Sequence, residues 1–483
     1  MAEAAGDPFH RCLHMLDPVA AVSDDPIARV AARIDRLPAT ATLWRLVALL
    51  GLGGFFELYD LFQTAYISPG LLRDGIFATG AAGVFGIADQ AAFASATFLG
   101  LFLGASLLSP FADRFGRRPV FTFALLWYTA ATVAMGLQST ALGVIGWRFV
   151  VGIGLGIELV TIDTYLSELM PRHMRGSAFA FVFFVQFLAV PAVAVSAWAL
   201  VPHAPFGVSG WRWVVLLSGT FAVAIWWLRR RLPESARWLA AQGRHAEADA
   251  VLCDLEARCA SELGRALDTP QIEPPLACAA TQPRFAALWK APYRRRVVML
   301  VAFHVFQAIG FFGFGNWLPT LLSAQGADSV HGLGYAFAIS LAYPLAPLLL
   351  LRGAQRWENK WQVVWSALGA VLFGTLFAWQ TQPLAIIACG AAITFCNAWM
   401  SFAYHGYQAE LFPTALRARA VGFCYSFSRL STAGSSLLIG LLLERTGSHG
   451  VLAFIVASLL AVAAIIGLFG PRTRNRTLEQ IAG

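Results

Sequence analysis

Ser167-Glu168-Leu169-Met170-Pro171, with Arg175 seven residues beyond the glutamate, returns as Ala409-Glu410-Leu411-Phe412-Pro413, with Arg417 seven residues beyond Glu410. Each copy follows an apolar run long enough to cross a bilayer, because about 20 helical residues cover roughly 30 Å of hydrocarbon. Two runs upstream of each copy lies a second, basic motif. In the first half it is Ala112-Asp113-Arg114-Phe115-Gly116-Arg117-Arg118, and in the second the weaker Ala354-Gln355-Arg356-Trp357-Glu358-Asn359-Lys360. Two motifs repeated in the same order at matching places divide the chain into two copies of one unit. A duplicated helical unit is the trace of a transporter whose halves rock about a site between them.

The composition requires a membrane. The 483 residues are 58% hydrophobic and only 13% charged, with a mean hydropathy of +0.63, outside the range of soluble domains. Twelve spans are expected, at about 43–68, 90–112, 118–137, 141–165, 176–201, 211–229, 297–322, 332–351, 361–380, 384–408, 418–442 and 450–470. Residues 1–40 contain no apolar core of the length a secretory signal needs. The reading is thus a cytoplasmic segment 1–42, a six-helix bundle 43–229, a polar linker 230–296, a second bundle 297–470 and a tail 471–483. Within the linker, Ala236 to Ala266 reads as one helix.

The basic residues orient the chain. Arg29, Arg33, Arg36, Arg114, Arg117, Arg118, Arg172, Arg175, Arg294 to Arg296, Arg352, Arg356, Lys360, Arg417, Arg419, Arg472, Arg474 and Arg476 fall on one face, whereas the other holds little beyond Arg73 and Arg445. By the positive-inside rule both termini are cytoplasmic. This topology and anionic inner-leaflet lipid account for the net charge of +8, with no nucleic-acid partner implied. The seven cysteines fall in cytoplasmic segments or within spans, so no disulfide is expected.

Several motifs resemble one family along nearly the whole chain. Asp113-Arg114-Phe115-Gly116-Arg117-Arg118 resembles the cytoplasmic loop motif of the major facilitator superfamily, and Arg148-Phe149-Val150-Val151-Gly152-Ile153-Gly154-Leu155-Gly156 resembles its span-4 motif. Pro233-Glu234-Ser235-Ala236-Arg237-Trp238-Leu239 resembles the sugar-porter signature after span 6, with Ala236 where proline is usual, and Arg476-Thr477-Leu478-Glu479-Gln480 resembles the C-terminal ending. The nearest likeness is to bacterial metabolite–proton symporters of the sugar-porter-like branch, which include niacin and aromatic-acid carriers. The resemblance implies an all-α membrane protein of twelve helices in two six-helix bundles related by a pseudo-two-fold axis, acting as a monomer in the bacterial inner membrane.

Three groups of residues then acquire candidate roles. The loop charges Asp113, Arg117, Arg118, Glu168, Arg175, Glu234 and Arg237 in the first half and linker, with Lys360, Glu410 and Arg417 in the second, are candidate gate residues. Ion pairs between the halves would hold one side shut, and because each exposed pair contributes only about 0–1 kcal/mol, a network is required. The plainer reading is solvated charge that sets orientation. Asp60, roughly 12 Å deep in span 1, and Arg148, at nearly the same depth in span 4, are the candidate proton-coupling pair. The resembling symporters carry an aspartate and an arginine at these motif positions. Glu57, one turn from Asp60, would share its proton, and the alternative is a static ion pair. Glu158 and Asp163, further along span 4, read as a second proton stage or as water-exposed gate residues.

Substrate is expected near the midplane between the halves. Gln186, Gln307 and Arg429 lie roughly 15–18 Å from the cytoplasmic ends of spans 5, 7 and 11, and His304 and His405 are further candidates. Glutamines and histidines at such depth also serve as interhelical packing. Phe311, Phe312, Phe314 and Trp317 give span 7 an aromatic flank, read as packing. Arg429 carries the sharpest signal, since a charge at mid-membrane must face a bundle interior or a watery cavity. Sugar porters hold ring hydroxyls with paired glutamines and an asparagine in span 7; here Phe306-Gln307 and then Phe312 keep one of the three polar groups. Leaving hydroxyls unpaired costs about 1–3 kcal/mol each, whereas a guanidinium grips a carboxylate through two hydrogen bonds. Proton-coupled import of a small organic anion follows. The alternatives are a sugar or polyol symporter, an exporter, antiporter or uncoupled facilitator, an internal Arg429–Glu410 pair, and a nutrient receptor on the same fold. No metal-ligand cluster, nucleophile motif or phosphate-binding glycine loop suggests an enzyme or a cofactor. The glycines at 152, 154 and 156 read as helix-packing positions.

Overall fold

In hydrocarbon every backbone amide must be satisfied within the protein, and helices achieve this within each segment. A computed structural model describes residues 26–108, 110–229, 232–270, 285–291, 293–326, 328–353, 358–412 and 414–472, and among these no strand occurs. Span 1 is Ala41–Arg73, and span 2 runs from Asp89–Leu103 through a π turn to Pro110–Phe115. Spans 3 and 4 are Arg117–Gly136 and Ala141–Leu169; span 5 is broken at Leu188 into Arg172–Phe187 and Ala189–Leu200; span 6 is Gly210–Arg229. In the second half, span 7 is Tyr293–Gly315 with Leu318–Ala324, span 8 is Ser329–Ser340 with Leu345–Gly353, and spans 9 and 10 are Asn359–Phe377 and Pro383–Glu410. Spans 11 and 12 share the run Thr414–Ala464, which Gly447 interrupts with a left-handed φ of 68°. Among the described residues nine helices are long and apolar enough to cross a membrane, this run counted once, and spans 2 and 6 complete the twelve.

The glycines of span 4 act through packing. A Cβ on Gly152 would lie 2.3 Å from the carbonyl oxygen of Thr97, and one on Gly156 2.3 Å from that of Leu101. Spans 2 and 4 therefore touch backbone to backbone, the close approach that small residues permit in membranes.

The linker departs from the expected single helix. It forms Ala236–Ala241 and His245–Leu263, separated at Gly243 (φ 74°) and ended by Gly264 (φ 66°). A helix not foreseen, Pro26–Asp35, packs Val30 and Ile34 against Trp238, Leu239 and Leu252. Arg33 lies 2.8 Å from both Asp249 and Glu256, and Arg36 lies 2.7 Å from Glu256. The two arginines that the positive-inside rule reads as charge on the linker's face are thus paired with linker carboxylates.

The halves are in close contact on the face away from the linker. Phe62 of span 1 contacts Phe311 of span 7 and Tyr343 of span 8, with ring centroids 6.4 and 5.5 Å apart. Gln90 of span 2 donates to Thr320 of span 7 at 2.6 Å. A Cβ on Gly440 of span 11 would come within 2.6 Å of the Ala91 Cβ. Below this seal a cavity remains between the halves.

The close packing of spans 2 and 4 is testable. Gly152→Ala forces a backbone shift and is expected to destabilise the purified protein by about 1–3 kcal/mol. Gly146→Ala, in the same helix with nothing within 4 Å of the added carbon, should leave the melting temperature unchanged. Equal melting curves for the two variants would remove the packing argument.

Candidate functional site

Arg148 and Asp60 are buried inside the first half, at 0% and 1% exposure. Arg148 Nη1 is 3.1 Å from Asp60 Oδ1, its Nε donates to Thr97 Oγ1 at 3.1 Å, and its Nη2 donates to Thr64 Oγ1 at 2.6 Å and to the Asp60 carbonyl. Thr132 Oγ1 donates to the other carboxylate oxygen of Asp60 at 2.8 Å. Spans 1, 2, 3 and 4 thus converge on one ion pair. Breaking such a pair by removing one partner costs about 3–5 kcal/mol, because the other charge is left buried. The pair stands outside the wall of the central cavity, whereas Glu57 lies in that wall. Glu158 is fully buried, also away from the wall, and Asp163 is exposed to the cavity.

The cavity encloses about 720 Å³, part of it open to solvent. Span 1 contributes Gly54, Glu57, Leu58 and Leu61, span 4 Leu159 and Asp163, and span 5 Phe183, Gln186 and Phe187. From the second half come Gln307, Phe311 and Phe312 of span 7, Ser401, Tyr404 and His405 of span 10, and Tyr425, Ser428 and Arg429 of span 11.

Arg429 is 3% exposed. Its Nη2 donates to the Tyr425 hydroxyl at 2.8 Å, and its guanidinium lies 4.8 Å from the Tyr425 ring and 5.6 Å from the Phe312 ring. Its Nε is buried without a hydrogen-bond partner among the described residues. Glu410 accepts from Asn359 Nδ2 at 2.9 Å, and among the described bonds none joins it to Arg429. Asp163 of span 4 lines the same cavity as Arg429.

The other candidates divide. Gln186 lies over the bare Gly54, where a Cβ would come within 2.1 Å of its amide nitrogen. Gln307 is 3% exposed and lines the cavity. His405 stacks on Tyr404 at 4.2 Å, and its Nδ1 shares a hydrogen with the Ser401 carbonyl at 2.6 Å. His304 stands behind the wall rather than in it, with Nε2 3.1 Å from Gln408 Oε1 and the rings of Phe303, Tyr404 and Tyr425 around it. The packing alternative is the one the geometry favours for His304. In span 7 the reverse holds for part of the aromatic flank: Phe311 and Phe312 face the cavity, while Phe314 and Trp317 remain in the core.

Sequence reading missed Tyr404, Tyr425, Phe183 and Phe187 as wall residues. Tyr425 was legible, because it precedes Arg429 by one helical turn on the same face. Thr64, Thr97 and Thr132 gave no signal, since only tertiary packing brings them to Arg148.

The described bonds of the loop charges run within their own halves or to the linker. Arg117 Nη2 is 2.9 Å from Glu168 Oε1, and Glu234 Oε1 accepts from the backbone N–H groups of Arg117 at 3.0 Å, Arg118 at 3.3 Å and Ser235 at 2.9 Å. Burial pushes the Glu234 carboxyl above its ordinary range, against the pull of those amides. Gly116 has a φ of 103°, and a Cβ there would lie 2.5 Å from Glu234. Arg237 reaches Asp35 at 3.4 Å, and Arg175 donates to the Met170 carbonyl at 3.1 Å. In the second half Lys360 donates to the Gly470 carbonyl at 2.7 Å. These described bonds tie spans within a half to one another or to the linker, where pairs between halves had been expected. The side chains of Asp113 and Arg417 lie outside the described ones, as do Gln355, Arg356 and the motif Arg476 to Gln480.

Residues 47–483 match the family described as sugar (and other) transporter. A putative metabolite transport protein of Bacillus subtilis is 30% identical, with 94% of this chain and 98% of that protein covered. The niacin transporter of Acinetobacter baylyi is 28% identical, with 94% and 99% covered. The xylose transporter of E. coli, in a partially occluded inward-open conformation, superposes with a TM-score of 0.73 at 17% identity, covering 91% of this chain and all of that one. The chain therefore belongs to the sugar (and other) transporter family, as a multi-pass membrane transporter of metabolites on the major facilitator fold and not an enzyme.

Proposed function

We propose that this protein imports a small organic carboxylate with a proton across a bacterial inner membrane, by alternating access of the cavity between its halves. One observation carries the reading: Arg429 projects a buried guanidinium into that cavity, held by a tyrosine hydroxyl and two ring faces, with no carboxylate bonded to it and its Nε unpartnered among the described residues. A buried guanidinium with a free donor facing a cavity favours an anionic ligand, to which it offers paired hydrogen bonds. Phe183, Phe187, Phe311 and Tyr404 in the wall suit an aromatic body. The niacin transporter among the relatives supports the same class. The loop arginines favour a cytoplasmic linker and termini, and the seal opposite the linker suits a cavity that faces inside.

Thermal shifts of the purified protein against nicotinate, benzoate and gluconate, with nicotinamide and xylose as uncharged counterparts, test the class. A ligand at about 100 times its dissociation constant stabilises the bound state by about 2.7 kcal/mol. Nicotinate or benzoate should shift the melting point and nicotinamide should not; a shift by xylose alone would restore the sugar reading. Arg429→Gln is expected to weaken acid binding by about 2–5 kcal/mol, roughly thirtyfold or more. Unchanged affinity would take Arg429 out of the site.

The proton is assigned to the Asp60–Arg148 pair, where protonating the carboxylate would release the guanidinium and loosen spans 1 and 4. In proteoliposomes Asp60→Asn should still exchange labelled substrate but no longer accumulate it under an imposed pH gradient. Accumulation at the wild-type level would move the proton elsewhere.

A further inference from the structure

Arg429 offers a ligand hydrogen-bond donors, and His405, in the same wall, offers the opposite. The Nδ1 of His405 lies 2.6 Å from the Ser401 carbonyl oxygen, which can only accept, so Nδ1 carries the hydrogen. In the neutral ring that leaves Nε2 as a bare acceptor, and no described bond engages it. Nor is this edge enclosed: His405 is partly exposed and lines the cavity. Arg429 already places one positive charge beside the Tyr425 ring, 4.8 Å from it, and the same ring lies 6.1 Å from the imidazole. A second cation so near would be repelled, which keeps His405 neutral. Its orientation is held as well. Tyr404 stacks on it at 4.2 Å and Phe183 lies 5.1 Å away, so the lone pair has its direction before a ligand arrives.

We infer that His405 is a specificity-determining residue: with the substrate carboxylate on Arg429, His405 Nε2 accepts a hydrogen bond from the substrate's ring, so the preferred class is an aromatic acid that carries a ring hydroxyl or N–H donor. This rests on the carboxylate reading above. Arg429 and His405 belong to spans 11 and 10 of the same half, and Tyr425 adjoins both, which brings donor and acceptor within the compass of one small aromatic acid. The other polar groups of the wall are less discriminating or differently placed. Gln186 and Gln307 can turn either end of a carboxamide to a ligand. Glu57 and Asp163 also accept, but they stand on spans 1 and 4 of the opposite half. A ring hydroxyl gives up water and gains Nε2, whereas a bare ring dries Nε2 and leaves it unpaired. A site with a fixed polar group rejects the analogue that fails to meet it. Arg429 thus selects for an acid, and His405 selects among aromatic acids.

The test is calorimetric titration of the full-length protein, near neutral pH, with benzoate, with meta- and para-hydroxybenzoate and with the two matching methoxybenzoates. Wild type should bind at least one hydroxy acid about five- to tenfold more tightly than benzoate, the gain from one net hydrogen bond, and more tightly than its methyl ether. In His405→Phe the hydroxy acid and benzoate should bind alike, whatever happens to the affinity for benzoate itself. His405→Gln, which retains an acceptor, should recover part of the preference. A wild type that binds benzoate without preferring either hydroxy acid would overturn the inference and leave the carboxylate reading standing. So would a methoxy acid as tight as its hydroxy partner, a preference that survives in His405→Phe, or one lost in Asp163→Asn or Glu57→Gln instead. An equal loss for every acid in both His405 variants, with the preference kept, would mean a structural role and overturn it too. Failure of all these acids to bind the wild type would overturn the carboxylate reading and this inference with it.

Discussion

A guanidinium inside a packed bundle must find acceptors among its neighbours, and Arg148 takes them from spans 1 and 2 directly. Asp60 extends the cluster to span 3 through Thr132. The arrangement depends on the bare backbones at Gly152 and Gly156, which let span 2 come close enough for Thr97 to reach the Arg148 Nε. Charge and close packing therefore reinforce each other: the glycines admit the neighbour, and the neighbour satisfies the charge. Desolvating an ion pair is costly, and the gain returns only when the remaining donors and acceptors are met. Most of those around Arg148 are met, so the first half can carry a full charge at its centre.

Arg429 presents the opposite case. It is also buried, but among the described residues its polar and ring contacts are one hydroxyl and two aromatic faces, and one of its nitrogens has no partner. The contrast separates a charge that completes the protein from a charge that awaits something else. Aromatic faces stabilise a cation without consuming its hydrogen-bond donors. Tyr425 and Phe312 thus hold the guanidinium in place while leaving donors for a ligand.

The linker and the loop charges make each half a firmer body. Arg33 and Arg36 join the first helix to the linker, Glu234 joins the linker to the loop after span 2, and Lys360 and Glu410 bond within the second half. Several of these groups are partly or wholly buried, where pairing contributes more than the small amount typical of exposed pairs. Rigid halves leave the surface between them as the place where the molecule can change shape.

Much of this was legible in the chain. Apolar runs of about 20 residues separated by basic loops determine twelve helices, because a run of that length in hydrocarbon satisfies its backbone within itself as a helix, and the Glu168 and Glu410 repeats determine two halves. The depth of Asp60, Arg148 and Arg429 follows from counting residues along a helix of constant rise. Facing is another matter. Whether a buried polar side chain meets a cavity, a neighbouring helix or its own loop depends on helix rotation and tilt, which packing sets. Residue counting treats Gln307 and His304, one turn apart on span 7, as equals; the tertiary structure puts the first in the cavity wall and the second behind it. In the same way it gives Arg33 and Arg36, legible only as charge on one face of the membrane, their linker partners. The sequence by itself determined the helices, their repeat and the depth of each charge, and only the tertiary structure decided which charges are answered from within.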